Sequence, residues 1–135
     1  MIAALALMAA GVAGQPSGEP ELVCNGDGPQ MQLNICSYRE FQRADAAMNV
    51  QWRATTAVMR AQDRQIDRRY DPQPGYFDTL LAAQRAWITY RDQHCMSAGF
   101  EARGGSMAPL LVNTCMTELT NLRTQQLKSL VEAEN

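Results

Sequence analysis

Between Ala83 and Cys95 the chain reads Ala-Gln-Arg-Ala-Trp-Ile-Thr-Tyr-Arg-Asp-Gln-His-Cys, with no proline or glycine inside it. Ala, Gln and Arg favour a helix. Leu80, Gln84, Trp87, Arg91 and Cys95 recur at three- or four-residue steps and so share one helical face. That face carries a large aromatic, a cation that cannot be deprotonated and a cysteine. A buried charge without a partner is expensive. The rest of the chain must therefore supply a pocket for Trp87, acceptors for Arg91 and a second sulfur for Cys95.

The surrounding sequence predicts two more helices. The first runs from about Pro29 towards Tyr70, with a stripe of Tyr38, Phe41, Asp45, Met48, Trp52, Thr55, Met59, Gln62, Ile66 and Tyr70. Arg43, Arg53, Arg60, Asp63 and Arg64 fall on its opposite face. Forty residues at 1.5 Å each would span about 60 Å, too long for so small a domain, so a break is expected near Arg60–Asp67. Asp71-Pro72-Gln73-Pro74-Gly75 stops that helix and turns the chain. The second helix spans about Tyr76 to Ala98. Pro109 opens a third, ending near Val131, with a stripe of Val112, Cys115, Leu119, Leu122 and Gln126. Alternating β-branched runs are absent. The expected fold is all-α: a disulfide-stapled bundle whose long first helix packs on an antiparallel pair.

At 135 residues the chain is sized for one domain. Ile2 to Ala13 is apolar and too short for a membrane span of about 20 residues. It suits the apolar core of a signal peptide, although no Lys or Arg precedes Glu19. The expected organisation is a signal peptide at 1–14, a linker and turn at 15–28, a helical domain at 29–131 and a tail at 132–135. Cys24 follows Glu21-Leu22-Val23, without the small residue that precedes a lipid-anchored cysteine, so no membrane anchor is expected after signal removal. The expected location is the periplasm or the medium.

An even set of cysteines, Cys24, Cys36, Cys95 and Cys115, in a short exported chain implies two disulfides. Cys95 and Cys115 flank a short connection and should meet across it. Cys24 is then the nearer partner for Cys36. A bridge from Cys36 to Cys95 stays open and requires a broken or bent first helix.

The charge pattern excludes several functions. Twelve basic against fourteen acidic residues leave a formal charge of −2, which offers no basic excess for nucleic acid. His94 is the only histidine and has no serine or acid placed around it by a motif, so no catalytic residue is assigned. Its neighbours Met96, Met107 and Met116 are soft enough to hold copper(I), but methionine more often fills core space. No metal or cofactor is expected.

Three constellations remain. Arg91 should pair with Asp45 and Asn49 on the first helix, as a polar clamp that fixes register; a ligand-binding cation is the rival reading. Trp52 and Trp87 are expected in the core. The connection Ser97–Ala108 holds Phe100, Arg103, Gly104, Gly105 and Ser106. A bridge at its base would pre-order it and lower the entropy cost of binding. The plain alternative is a connection whose glycines permit positive φ.

Taken in order, Asn34-x-Cys36, Ala44-Asp45 with Asn49, Gln84-Arg85-Ala86-Trp87, Tyr90-Arg91-Asp92, Cys95, Gly104-Gly105-Ser106, Cys115 and Leu119-Thr120-x-x-Arg123 carry a resemblance. Over roughly Cys24 to Leu130 the chain resembles the small secreted bacterial domain of the LprI-type lysozyme inhibitor family. The inhibitor activity is attached to few of that family's members. The resemblance implies a non-enzymatic exported binding protein with a protein partner, a lysozyme. Arg103 would then meet a carboxylate of the lysozyme cleft, and Ser106 would replace its catalytic water. The rival is a cell-envelope interaction module without lysozyme inhibition, for which an exposed stripe over Tyr38–Met48 would speak.

Overall fold

The computed structural model describes residues 22–132. The expected signal segment, the linker before Leu22 and the last three residues of the tail lie outside the described residues. Three α-helices make up the domain: α1 (Gln30–Asp63), α2 (Tyr76–Gly99) and α3 (Ala108–Glu132). A 3₁₀ turn, Phe100–Ala102, joins α2 to α3. No strand occurs among the described residues. The long first helix packs against the other two, as the hydrophobic pattern predicts, most extensively on α3.

Pro29 directly precedes α1, where its missing N–H costs nothing. The helix ends at Asp63, inside the stretch where a break is expected and short of Tyr70. The reason lies in Asp63 itself. Its carboxylate accepts hydrogen bonds from the backbone N–H groups of Tyr76, at 2.7 Å, and Phe77, at 3.1 Å. These are orphan donors of the first turn of α2. Asp63 thus caps the next helix from thirteen residues upstream, rather than facing solvent as its place in the pattern suggests. Arg60 stacks on Phe77, with its guanidinium carbon 3.6 Å from the ring centroid.

Cross-helix contacts fix the directions. Asp45 meets Arg91 and Met48 meets Gln84, so α1 and α2 are antiparallel. Ser37 bonds Asn113, and Thr55 bonds the Leu127 carbonyl, so α1 and α3 run parallel. Gly99 lies against Val112, where α2 and α3 converge in antiparallel sense.

Leu127, Thr55, Thr120 and Cys95 are the largest fully buried side chains. Met48, Met59 and Leu80 join Leu127 in the apolar core. Trp52 and Trp87 pack against this cluster and are partly buried. The third helix departs from its expected stripe at three positions: Leu122 is half exposed and Gln126 exposed, while Thr120 is buried; Leu127, which flanks the stripe, is fully buried. Thr55, Thr117 and Thr124 bond helix carbonyls, which satisfies their hydroxyls and lets small side chains line a close interface.

Candidate functional site

Both disulfides bind near neighbours in sequence. Cys24–Cys36 ties the entering chain to the start of α1, with Cα atoms 5.6 Å apart. Cys95–Cys115 joins α2 to α3, with Cα atoms 5.4 Å apart. The Cys36–Cys95 alternative is thereby excluded. The pairs fit an oxidising compartment.

Above the second bridge the chain turns through a tip. Gly99 is buried, and a Cβ there would sit 2.5 Å from Val112 Cγ2, so α2 and α3 approach as closely as they do only because this residue lacks a side chain. Arg103 N–H bonds the Phe100 carbonyl at 3.1 Å, and Gly105 N–H the Ala102 carbonyl at 2.8 Å. Gly104 takes φ +78°, the left-handed conformation that side chains disfavour. Asn34 on α1 donates its side-chain amide to the Ser106 carbonyl at 2.9 Å. The tip is therefore tied at its base, within itself and to the long helix. Phe100, Arg103, Gly104, Gly105, Ser106 and Met107 remain exposed on it. The Arg103 guanidinium stands over the Phe100 ring, 4.6 Å from its centroid.

Midway along the bundle, Arg91 is 7% exposed. Its Nε donates to Asp92 at 2.9 Å; Nη1 donates to Asp45 and to Thr120, each at 3.3 Å. Its guanidinium carbon lies 5.2 Å from the Phe41 ring and 5.1 Å from the Trp87 ring. Asn49 makes no hydrogen bond to Arg91; its amide donates to Asp45 at 3.2 Å and steadies that acceptor instead. Asp92 is the nearer carboxylate, and it and Thr120 join the clamp beyond the acceptors expected for it. The i, i+3 spacing of Thr120 and Arg123 was the available signal for a polar seam on α3. Arg123 extends the seam: its Nε donates to Gln84 Oε1 at 2.9 Å, and burial lowers its pKa.

Beside this clamp, α1 and α2 diverge around a hollow of about 320 Å3. Asp45, Asn49, Gln84 and Arg91 line it with Met48, Trp52 and Ile88. A larger hollow, of about 610 Å3, lies at the far end of the bundle between α1 and the chain before α2, beside Val58, Ile66, Tyr70 and Tyr76. The sequence pattern does not show it, because its stripe runs on past Asp63 to Ile66 and Tyr70, which line the hollow instead of a helix face. Its Asp67 is engaged by Arg69 at 2.6 Å. Among the described residues no group of three or more His, Cys, Asp or Glu could hold a metal ion. No described helix is long and apolar enough to cross a membrane.

The class these features define is a small, doubly stapled three-helix domain with a polar clamp across its middle and a pre-ordered tip. The chain belongs to the lysozyme inhibitor LprI family, whose model matches residues 24–127. An uncharacterized protein of Rhizobium meliloti (strain 1021) is 45% identical to it over 133 residues, covering 98% of this chain and 96% of that one. No solved structure matches it.

Proposed function

We propose that the protein is exported and acts by binding, without catalysis, and that its partner is a lysozyme whose cleft receives the Phe100–Ser106 tip. Membership of the lysozyme inhibitor family supports the partner class. The observation that carries the site is the ordering of the tip, closed by Cys95–Cys115 and tethered through Asn34. A loop held in its bound shape loses little conformational entropy on docking. In this reading Arg103 pairs with one of the two working carboxylates of the cleft, and the Ser106 hydroxyl takes the place of water. Phe100, 48% exposed, supplies apolar contact beside the cation. The test is a cell-wall lysis assay with purified protein against a panel of lysozymes. Slower lysis that is lost in Arg103→Glu supports the reading, and unchanged lysis at micromolar protein across the panel removes it.

The rival, an envelope module without lysozyme inhibition, calls for an exposed apolar stripe over Tyr38–Met48. Tyr38 is half exposed, but Met48 is 3% exposed and Phe41 lies against Arg91. Exposed apolar side chains on α1 are Met31, Ile35 and Tyr38 in its first turns, at the same end as the tip, and Val50 midway along it.

A further inference from the structure

We propose that the outer face of α1 is a docking surface for a membrane leaflet rich in anionic phospholipid, which the protein touches from one side without entering. Arg39, Arg43, Arg53, Arg60 and Arg64 follow one another at steps of four, ten, seven and four residues. At about 3.6 residues per turn those steps stay within an arc of about 100° on one side of the helix. All five arginines are exposed. Arg64 is the C-cap and keeps helical backbone, so at about 1.5 Å per residue the stripe runs about 37 Å. Ala46, Val50, Ala54 and Ala57 lie between the arginines on the same arc and are exposed too. Three of these are too short to keep a surface away from the guanidinium groups.

The charge is unanswered within the protein. Among the described residues no salt bridge reaches any of the five. Arg60 stacks on Phe77 and has no carboxylate. Of the acids on α1, Asp45 holds Arg91 and Asp63 caps α2. That leaves Glu40, which flanks the stripe beside Arg43 at the groove towards α3. Asp78 on α2 and Glu118 on α3 are exposed and form no ion pair. Arg39 with Arg43, and Arg60 with Arg64, are like charges four residues apart, which weaken a helix. Packing does not require them, because the buried side chains of α1 lie on its other side. Five of the twelve basic residues thus make a local field that the formal charge of −2 conceals.

Shape selects the occupant. The arginines crown a ridge; Arg43 alone borders a hollow. A single polyanionic strand would have to be straightened along a ridge that has no walls to hold it. Lipid headgroups already form a plane, which a straight helix meets along its length. Guanidinium forks bond phosphate oxygens in pairs. Val50 is the one large apolar side chain on the arc, so contact stays at the headgroups.

The test is sedimentation of the disulfide-intact protein with vesicles of phosphatidylglycerol and phosphatidylcholine. Binding is expected at low salt. It should vanish at about 1 M salt, where the Debye length is about 3 Å, and with phosphatidylcholine alone. An arginine near an anionic surface is worth about fivefold in binding, so Arg43→Glu with Arg53→Glu should weaken it by at least about 25-fold. Arg85→Glu with Lys128→Glu, the same charge change on α2 and α3, should leave most of it. All four residues are exposed, and circular dichroism checks that the helices persist. No binding at low salt overturns the proposal. Equal weakening by the two pairs overturns it in favour of net charge, and equal binding to neutral vesicles in favour of the exposed apolar side chains. Capture of soluble polyphosphate without vesicle binding overturns it in favour of a strand-like polyanion.

Discussion

A few side chains do more for this domain than their burial suggests. Asp63 holds two backbone N–H groups of α2 and sits 2.8 Å from where a Cβ on Gly75 would stand. Replacing it by alanine frees both donors. Loss of a helix cap costs about 1 kcal/mol, so Asp63→Ala should lower the melting temperature measured by circular dichroism, and Asp63→Asn should recover part of it. Arg91 serves Asp45, Asp92 and Thr120 from one planar group. A lysine has the charge without the fork. Arg91→Lys should therefore destabilise by about 1–3 kcal/mol in urea unfolding, the scale of lost hydrogen bonds to charged groups. Asp67 gives a pH signal confined to the chain between α1 and α2. The Arg69 guanidinium and backbone N–H bond its carboxylate and hold its pKa below the ordinary value. A lowered carboxyl pKa contributes stability above the ordinary value of about 3.9, and loses it as pH falls through the folded one. Side-chain NMR of Asp67 should show its midpoint below that ordinary value.

At the scale of elements, the apolar and helical periodicities made the three helices legible, and the spacing of Cys95 and Cys115 made their bridge legible. Pro72 and Pro74 marked the turn. What pattern could not show was how α1 ends, because Asp63 is defined by a contact thirteen residues away. Arg91 meets Asp45 across α1 and α2, the level at which the sequence places its acceptor. The α3 interface was misread for a different reason. Leu122 looked like core and Thr120 did not, yet a threonine whose hydroxyl finds a partner packs as a small apolar residue. The clamp was partly legible, since a cation on an apolar stripe demands acceptors, but which acceptors depended on the register. The glycine that lets the tip form was likewise hidden among several in its loop. Gly99→Ala would place a methyl group 2.5 Å from Val112 Cγ2. Valine is short and stiff, so the helices themselves must separate. Overpacking of this kind costs about 1–3 kcal/mol, and hydrogen exchange should show the tip amides of Arg103 and Gly105 losing protection first.

For the molecule as a whole, the balance between core and covalent ties is what matters. Among the described residues only a few side chains are fully buried, and two of the largest are threonines. A domain of this size has a net stability of about 5–15 kcal/mol. Bridges that close chain separations of 12 and 20 residues contribute about 3 kcal/mol each in the chain-entropy account. Together they reach the lower end of the total. The two bonds also differ in access: Cys24 is exposed, whereas Cys95 is fully buried. Graded reduction should therefore proceed in two steps. Cys24–Cys36 should open first, freeing the chain before α1 while the helices and the tip persist. Opening of Cys95–Cys115 should follow only with global unfolding, because its sulfur is reached when α2 and α3 part. Thiol trapping with mass mapping, read alongside circular dichroism, checks the order. The reverse order, or four free thiols in a protein that melts at its original temperature, would show that noncovalent packing alone holds the bundle.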